Sequence, residues 1–128
     1  MRPDDKARGV PVVLVVEDDA LIRELVAFTL QDAGFDVLEA AHAAAALALL
    51  EDHGPRVTAL VSDVQIPGRL DGLTLASHAR RRWPHLGLVL ASGRMRLPEN
   101  DLPERCRFLR KPYGARDIVA CVREAISF

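Results

Sequence analysis

Leu60-Val61-Ser62-Asp63-Val64-Gln65-Ile66-Pro67 is the stretch whose reading decides the fold. An apolar run, Val57 to Val61, ends in a single carboxylate, Asp63, and a loop with proline and glycine follows at once. A short apolar run of this kind reads as a parallel strand buried on both faces. In open α/β sheets, ligands bind in the crevice beyond the carboxyl ends of the strands, and Asp63 stands at such an end. An aspartate after a strand is also a common turn former or helix cap. Its meaning therefore depends on what converges on it.

Working outward, Pro11 to Val16 is a continuous apolar strand that ends in Glu17-Asp18-Asp19. Leu21, Ile22, Leu25, Val26 and Leu30 then recur at helical spacing, and Gly34 is a natural stop. Phe35 to Ala40 alternates as a second strand. His42 to Asp52 is an alanine-rich helix with Ala43, Ala46, Leu47 and Leu50 on one side, stopped by Gly54-Pro55. Val57 to Ser62 is the third strand. Asp71 can cap a helix running to Trp83, where Pro84 forbids continuation. Leu86 to Ala91 is a fourth apolar strand, ended by Ser92-Gly93. Phe108-Leu109 is a short fifth strand among Arg107, Arg110 and Lys111. A last helix from about Gly114 to Ile126 carries Ile118, Val119, Val122 and Ile126 on its apolar face.

Strands and helices in regular alternation call for a doubly wound parallel sheet with helices on both faces. The second and fifth strands carry charges, as edge strands do. The five-stranded order 2-1-3-4-5 satisfies this with right-handed crossovers. The switch point then falls between strands one and three, so Glu17, Asp18 and Asp63 share one crevice. Pro98 and Pro103 break the segment between strands four and five, so the fourth helix is expected to be short or irregular. Residues 1–9 read as a disordered tail and 10–128 as one domain.

Composition bounds the function. The formal net charge is −1, so neither nucleic acid nor an anionic membrane is an obvious partner. The first apolar run is too short for a signal peptide or a membrane span, which points to a cytoplasmic protein. Cys106 and Cys121 lack metal-ligand spacing and read as buried or half-buried thiols.

Acids gathered in one crevice raise each other's proton affinity, and a divalent cation is the simplest reason for them. Oxygen ligands without cysteine or histidine suit Mg²⁺. Ser92 adds a hydroxyl at the end of strand four, and Lys111, held by Pro112, adds a cation at the end of strand five. A metal, a carboxylate, a hydroxyl and an ammonium on one rim fit phosphoryl transfer. Asp63 is then the nucleophile that forms an acyl phosphate.

Val-Val-Glu-Asp-Asp at 15–19, Ser-Asp-Val-Gln-Ile-Pro at 62–67, Asp71-Gly72, Ala91-Ser92-Gly93 and Phe108-Leu109-Arg110-Lys111-Pro112 resemble the receiver domain of two-component response regulators. The single-domain, chemotaxis-regulator-like type is the nearest likeness, and it covers about residues 11–127. The resemblance implies a flavodoxin-like fold and a phosphoacceptor, Asp63, loaded by a phosphohistidine on a sensor histidine kinase or a histidine phosphotransfer protein. It implies that Asp18 binds Mg²⁺ directly, that Glu17 acts through water, and that Asp63 and the backbone carbonyl of Gln65 complete the ligands. Lys111 would pair with the phosphoryl oxygens. Ser92 and Phe108 would form the switch that alters binding to an unknown downstream protein target. Gln65 and Arg94 would tune hydrolysis of the acyl phosphate. The protein would be a self-phosphorylating phosphoacceptor with slow autodephosphorylation rather than an enzyme, and a monomer or weak dimer.

Each residue also has a duller reading. Asp18 or Asp19 could simply cap a helix, Ser92 could end a strand, Phe108 could be plain core and Lys111 a solvated edge charge. The four histidines show no ligand spacing, and Arg80-Arg81-Arg82 reads as a solvated helix end. Two other functions remain open. A Mg²⁺-dependent aspartyl-phosphate phosphatase of the haloacid dehalogenase type expects an aspartate-x-aspartate pair after the first strand, which Glu17-Asp18-Asp19 lacks. A phosphorylation-independent pseudo-receiver binding module expects an incomplete acidic set. The sequence departs from the receiver pattern in three places: one extra residue in the loop from Ile66 to Gly72, Ser92 where threonine is commoner, and the prolines at 98 and 103.

Overall fold

The computed structural model describes residues 9–66, 71–93 and 102–127. Five strands, β1 (Val12–Val16), β2 (Asp36–Ala40), β3 (Val57–Asp63), β4 (Gly87–Ser92) and β5 (Cys106–Arg110), form one sheet in the order β2-β1-β3-β4-β5. All four pairings are parallel. The described helices are α1 (Ala20–Asp32), α2 (Ala43–His53), α3 (Gly72–Arg82) and α4 (Ala115–Ile126), with a 3-10 turn at Gly54–Arg56.

Strand composition sorts the sheet as expected. Every residue of β1 and β4 is buried, and β3 is nearly so. The charged strands β2 and β5 are mostly half-buried and lie at the edges. Alternate side chains of each central strand enter opposite layers. Leu14, Leu60, Leu88 and Leu90 pack with Leu50 of α2 and Leu75 of α3. Val13, Val15, Val61 and Val89 pack with Leu30 of α1 and Val122 of α4. Each fully buried leucine contributes roughly 1.5–3 kcal/mol, so both layers hold the strand ends in register.

The elements differ from the sequence reading in several places. β5 runs from Cys106 to Arg110 rather than over Phe108-Leu109 alone. At an edge, arginine stems lie along the sheet while their heads reach outward, and Arg107 pairs with Glu124 of α4 at 3.8 Å. Asp63 and Ser92 are the last residues of β3 and β4, not the first of their loops. The apolar spacing of α1 splits into two stripes. Val26, Ala27 and Leu30 face the sheet, whereas Leu21, Ile22, Leu25 and Phe28 are exposed at 67%, 39%, 59% and 68%.

Helix starts follow capping rules. Asp19, not Asp18, caps α1, accepting from Leu21 N–H and Ile22 N–H. That leaves Asp18 available to the crevice. Asp71 caps α3 through Thr74 N–H at 2.8 Å. The Nδ1 of His42 caps α2 through Ala45 N–H, a role its spacing did not announce. Residues 1–8 of the tail expected over 1–9, the extra residue of the Ile66–Gly72 loop, Arg94 and the irregular helix expected after β4 lie outside the described residues. Of the segment before β5, Leu102 to Arg105 form a bend and a turn, with Arg105 at φ 56°. Arg80 of α3 straps this turn by donating to the carbonyls of Glu104 and Arg105. No described helix is long and apolar enough to cross a membrane.

Candidate functional site

The sheet order delivers β1 and β3 side by side, with Val16 paired to Ser62. Glu17 and Asp63 therefore leave adjacent strands one step later. Carboxylate oxygens of Glu17, Asp18 and Asp63 all lie within 4.8 Å of one another. The three are graded in exposure: Glu17 is buried, Asp63 half-buried and Asp18 exposed. One wall of the crevice is thus dry and one is open to solvent.

Backbone contacts fix Asp63. Val64 N–H donates to the Ala91 carbonyl at 2.9 Å, and Gly72 N–H donates to the Val64 carbonyl at 2.7 Å. The buried hydroxyl of Ser62 donates to the Asp63 carbonyl at 2.8 Å. The acid is consequently carried on a rigid strand end rather than a loose turn.

Lys111 closes the far side. Its Nζ lies 2.6 Å from Asp63 Oδ1 and 3.7 Å from Glu17 Oε1. Lys111 N–H donates to the Ser92 carbonyl at 3.1 Å, which anchors the residue just past the β4–β5 ladder. Burial works against the ammonium charge, but the Asp63 hydrogen bond and the charges of Asp63 and Glu17 raise its pKa overall. Lys111 is a built part of the pocket rather than a solvated edge charge.

Glu17 is the acid that the crowding of carboxylates affects most. Its carboxyl is pushed up from 4.5 to about 8, first by burial and then by the hydrogen bond and charge of Asp63. Three carboxylates face one ammonium, so in the absence of further positive charge Glu17 takes a proton. The donor set is oxygen only, which suits a hard divalent cation over zinc. These residues fit the Mg²⁺ expected from the sequence.

The remaining predicted residues fall around this centre. Ser92 is buried at the end of β4, one residue beyond Ala91, the partner of Asp63. Phe108 pairs with Leu90, and Arg110 pairs with Ser92. Ser92 and Phe108 therefore lie on the same face of the sheet, on adjacent strands, two residues apart in register. Phe108 is half-buried against the core on that face. Gln65 is exposed two residues beyond Asp63. Arg94 lies outside the described residues.

Two features escaped the sequence reading. Arg23 of α1 donates to the Glu17 carbonyl at 2.8 Å. A lone arginine on an early helical turn gives no signal of this. A groove of about 560 Å³ also opens between α1 and α4. Ile22, Leu25 and Ile118 line it, together with Tyr113, and Lys111 and Gly93 stand where it meets the acidic pocket. The only hint of it was the surplus of apolar residues on α1.

Residues 13–123 match the response regulator receiver domain family. Transcriptional regulatory protein AruR of Pseudomonas aeruginosa is 37% identical over 123 residues, which are 91% of this chain and 50% of that regulator. The response regulator receiver protein CpdR of Brucella abortus is 29% identical over 110 residues, 84% of this chain and 89% of that protein. A solved response regulator receiver protein from Sinorhizobium medicae superposes with a TM-score of 0.85 at 25% identity, covering 92% of this chain and 95% of the other. The chain spans half the length of AruR and 13% of sensor kinase CckA of Brucella abortus. Strand order, the acidic crevice and the family match over most of the chain agree: the chain belongs to the receiver domain family of two-component response regulators.

Proposed function

We propose that Asp63 accepts a phosphoryl group from a phosphohistidine on a sensor histidine kinase or histidine phosphotransfer protein. The observation that carries this reading is the contact of Lys111 Nζ with Asp63 Oδ1 at 2.6 Å, inside a cluster of three carboxylates. An ammonium against a fixed carboxylate is placed to meet the phosphoryl oxygens that arrive there. Asp63 oxygen attacks phosphorus, a P–O bond forms and the P–N bond breaks. Its electron pair goes to the imidazole nitrogen, which takes up a proton.

Glu17, Asp18, Asp63 and the backbone carbonyl of Gln65 would hold Mg²⁺. When bound, that ion supplies charge neutralisation for the transferring group. Lys111 then pairs with the phosphoryl oxygens. Ser92 and Phe108 act as the two halves of a switch, supported by their shared face and adjacent strands. Covalent charge at Asp63 biases it, and an unknown downstream protein reads the result. Gln65 and Arg94 tune how slowly the acyl phosphate hydrolyses, so the protein is a phosphoacceptor and not a turnover enzyme.

The donor reaches Asp63 across α1. Leu21, Ile22, Leu25 and Phe28 present an apolar face next to the groove that ends at Lys111. Exposed apolar patches of this kind mark protein contacts. A helical donor resting there brings its phosphohistidine to the mouth of the acidic pocket.

Incubation with acetyl phosphate and Mg²⁺, followed by intact mass, tests the reading. One added phosphoryl group is expected on the native chain and none on Asp63→Asn. Modification of both proteins, or of neither, would overturn it.

A further inference from the structure

We infer that Arg23 is a positioning residue of the acidic pocket, acting through the backbone of Glu17. Both peptide units that flank Glu17 are held. Its N–H donates to the Ala40 carbonyl at 3.0 Å, and its carbonyl accepts from Arg23 Nη1 at 2.8 Å. The first bond ties it to the end of β2 and the second ties it to α1. The Glu17–Asp18 peptide plane is fixed as a result, and with it the directions in which both carboxylates leave the chain. A guanidinium is well suited to this task, because a planar fork can serve two acceptors at once. Its Nε also lies 3.4 Å from Glu39 Oε1, one residue before Ala40.

Magnitudes separate the two contacts. Glu39 is 40% exposed against 20% for Arg23, and a half-exposed ion pair of this kind adds little by itself. A charge-assisted hydrogen bond to a carbonyl is the stronger contact. The contact of Arg23 is with the backbone carbonyl of Glu17 and not with its carboxylate. Its influence on the pocket is therefore geometric: it sets the turn on which Glu17 and Asp18 sit. The ion pair with Glu39 is secondary to the carbonyl contact.

The inference rests on the reading of the pocket as a Mg²⁺ site, and the experiment separates the two. Arg23→Ala, Arg23→Lys and Glu39→Gln are made in the full chain. Mg²⁺ affinity is measured by calorimetry, and amide exchange at Asp18 and Asp19 is measured in the Mg²⁺-free protein. Arg23→Ala is expected to weaken Mg²⁺ binding about tenfold, the lower end of the range for groups that orient metal ligands. It also speeds exchange at Asp18 and Asp19 while the amides of α2 and α3 stay protected. Arg23→Lys recovers part of the affinity, since an ammonium can still reach the carbonyl. Glu39→Gln stays within about twofold of the native chain. Unchanged affinity in Arg23→Ala overturns the inference. An equal loss in Glu39→Gln overturns it as well, by assigning the effect to the ion pair. Absence of Mg²⁺ binding by the native chain instead overturns the reading of the pocket. Exchange at Asp18 and Asp19 then still decides whether Arg23 orders the turn.

Discussion

Gly72 and the carbonyl of Asp63 are packed so closely that no Cβ fits between them. A Cβ built on Gly72 overlaps the Asp63 carbonyl oxygen and lies 2.7 Å from its carbon and 3.0 Å from Ser62 Oγ. The first residue of α3 is thus stacked on the backbone of Asp63. Gly72→Ala must displace either the helix or the end of β3. Overpacking of this sort costs about 1–3 kcal/mol. We expect a lower urea midpoint with an unchanged slope, and slower phosphorylation of Asp63 by acetyl phosphate. A midpoint equal to the native one would show that the contact yields without cost.

Lys111→Met separates two roles of the ammonium. Nζ contacts Asp63 and Glu17, so it competes with any cation for the same oxygens. Its removal raises Mg²⁺ affinity, because the carboxylates lose their internal counter-charge. The same change slows phosphoryl transfer by at least about tenfold, since a donor aimed at developing charge is gone. Calorimetry and a phosphorylation time course should therefore move in opposite directions. A fall in Mg²⁺ affinity would contradict this account.

Much of this was legible in the residues. Apolar runs at Pro11–Val16 and Leu86–Ala91 gave central strands, and the charges within Phe35–Ala40 and beside Phe108-Leu109 gave edges. That order alone brings Glu17, Asp18 and Asp63 together. Other features depend on tertiary contact and leave no periodic trace. Asp19 took the cap and Asp18 did not, because only the turn geometry distinguishes adjacent aspartates. Arg23 gives no signal in the sequence, because its partners are met only when α1 docks beside β2. Leu21, Ile22 and Leu25 match the helical spacing of core residues, yet the sheet accepts only the stripe at Val26, Ala27 and Leu30.

The buried acid gives the pH dependence. Glu17 has a folded-state pKa of about 8 against an ordinary 4.5. The folded chain thus holds this proton more tightly than the unfolded chain does. Below the ordinary value both states are protonated and the group contributes nothing. As pH rises from there to about 8, the unfolded state ionises first and the Mg²⁺-free protein loses stability. Mg²⁺ requires the carboxylate, so its binding releases a proton through this range. Affinity should climb with pH and level off above about 8. Calorimetry at neutral pH in buffers of differing ionisation enthalpy should detect the released proton. Glu17→Gln should lose both the proton release and the slope. Mg²⁺ affinity independent of pH in the native chain would refute the assignment.

The exposed stripe of α1 separates docking from chemistry. Leu25 and Phe28 are 59% and 68% exposed, so neither substitution to alanine should change stability by more than about 0.5 kcal/mol. A small donor such as acetyl phosphate reaches Asp63 without touching α1, and its rate should be unchanged in both variants. On the proposed docking, a phosphorylated histidine phosphotransfer protein that loads the native chain rests on this face. An aromatic anchor at such a contact is worth about 1–2 kcal/mol or more, so Phe28→Ala should raise KM for that donor about tenfold with little change in kcat. Equal losses with both donors would place the defect in the pocket itself. Unchanged transfer from the protein donor would remove α1 from the docking surface. The stripe would then need another occupant, because large apolar side chains in a row on one helix face are costly to leave in water.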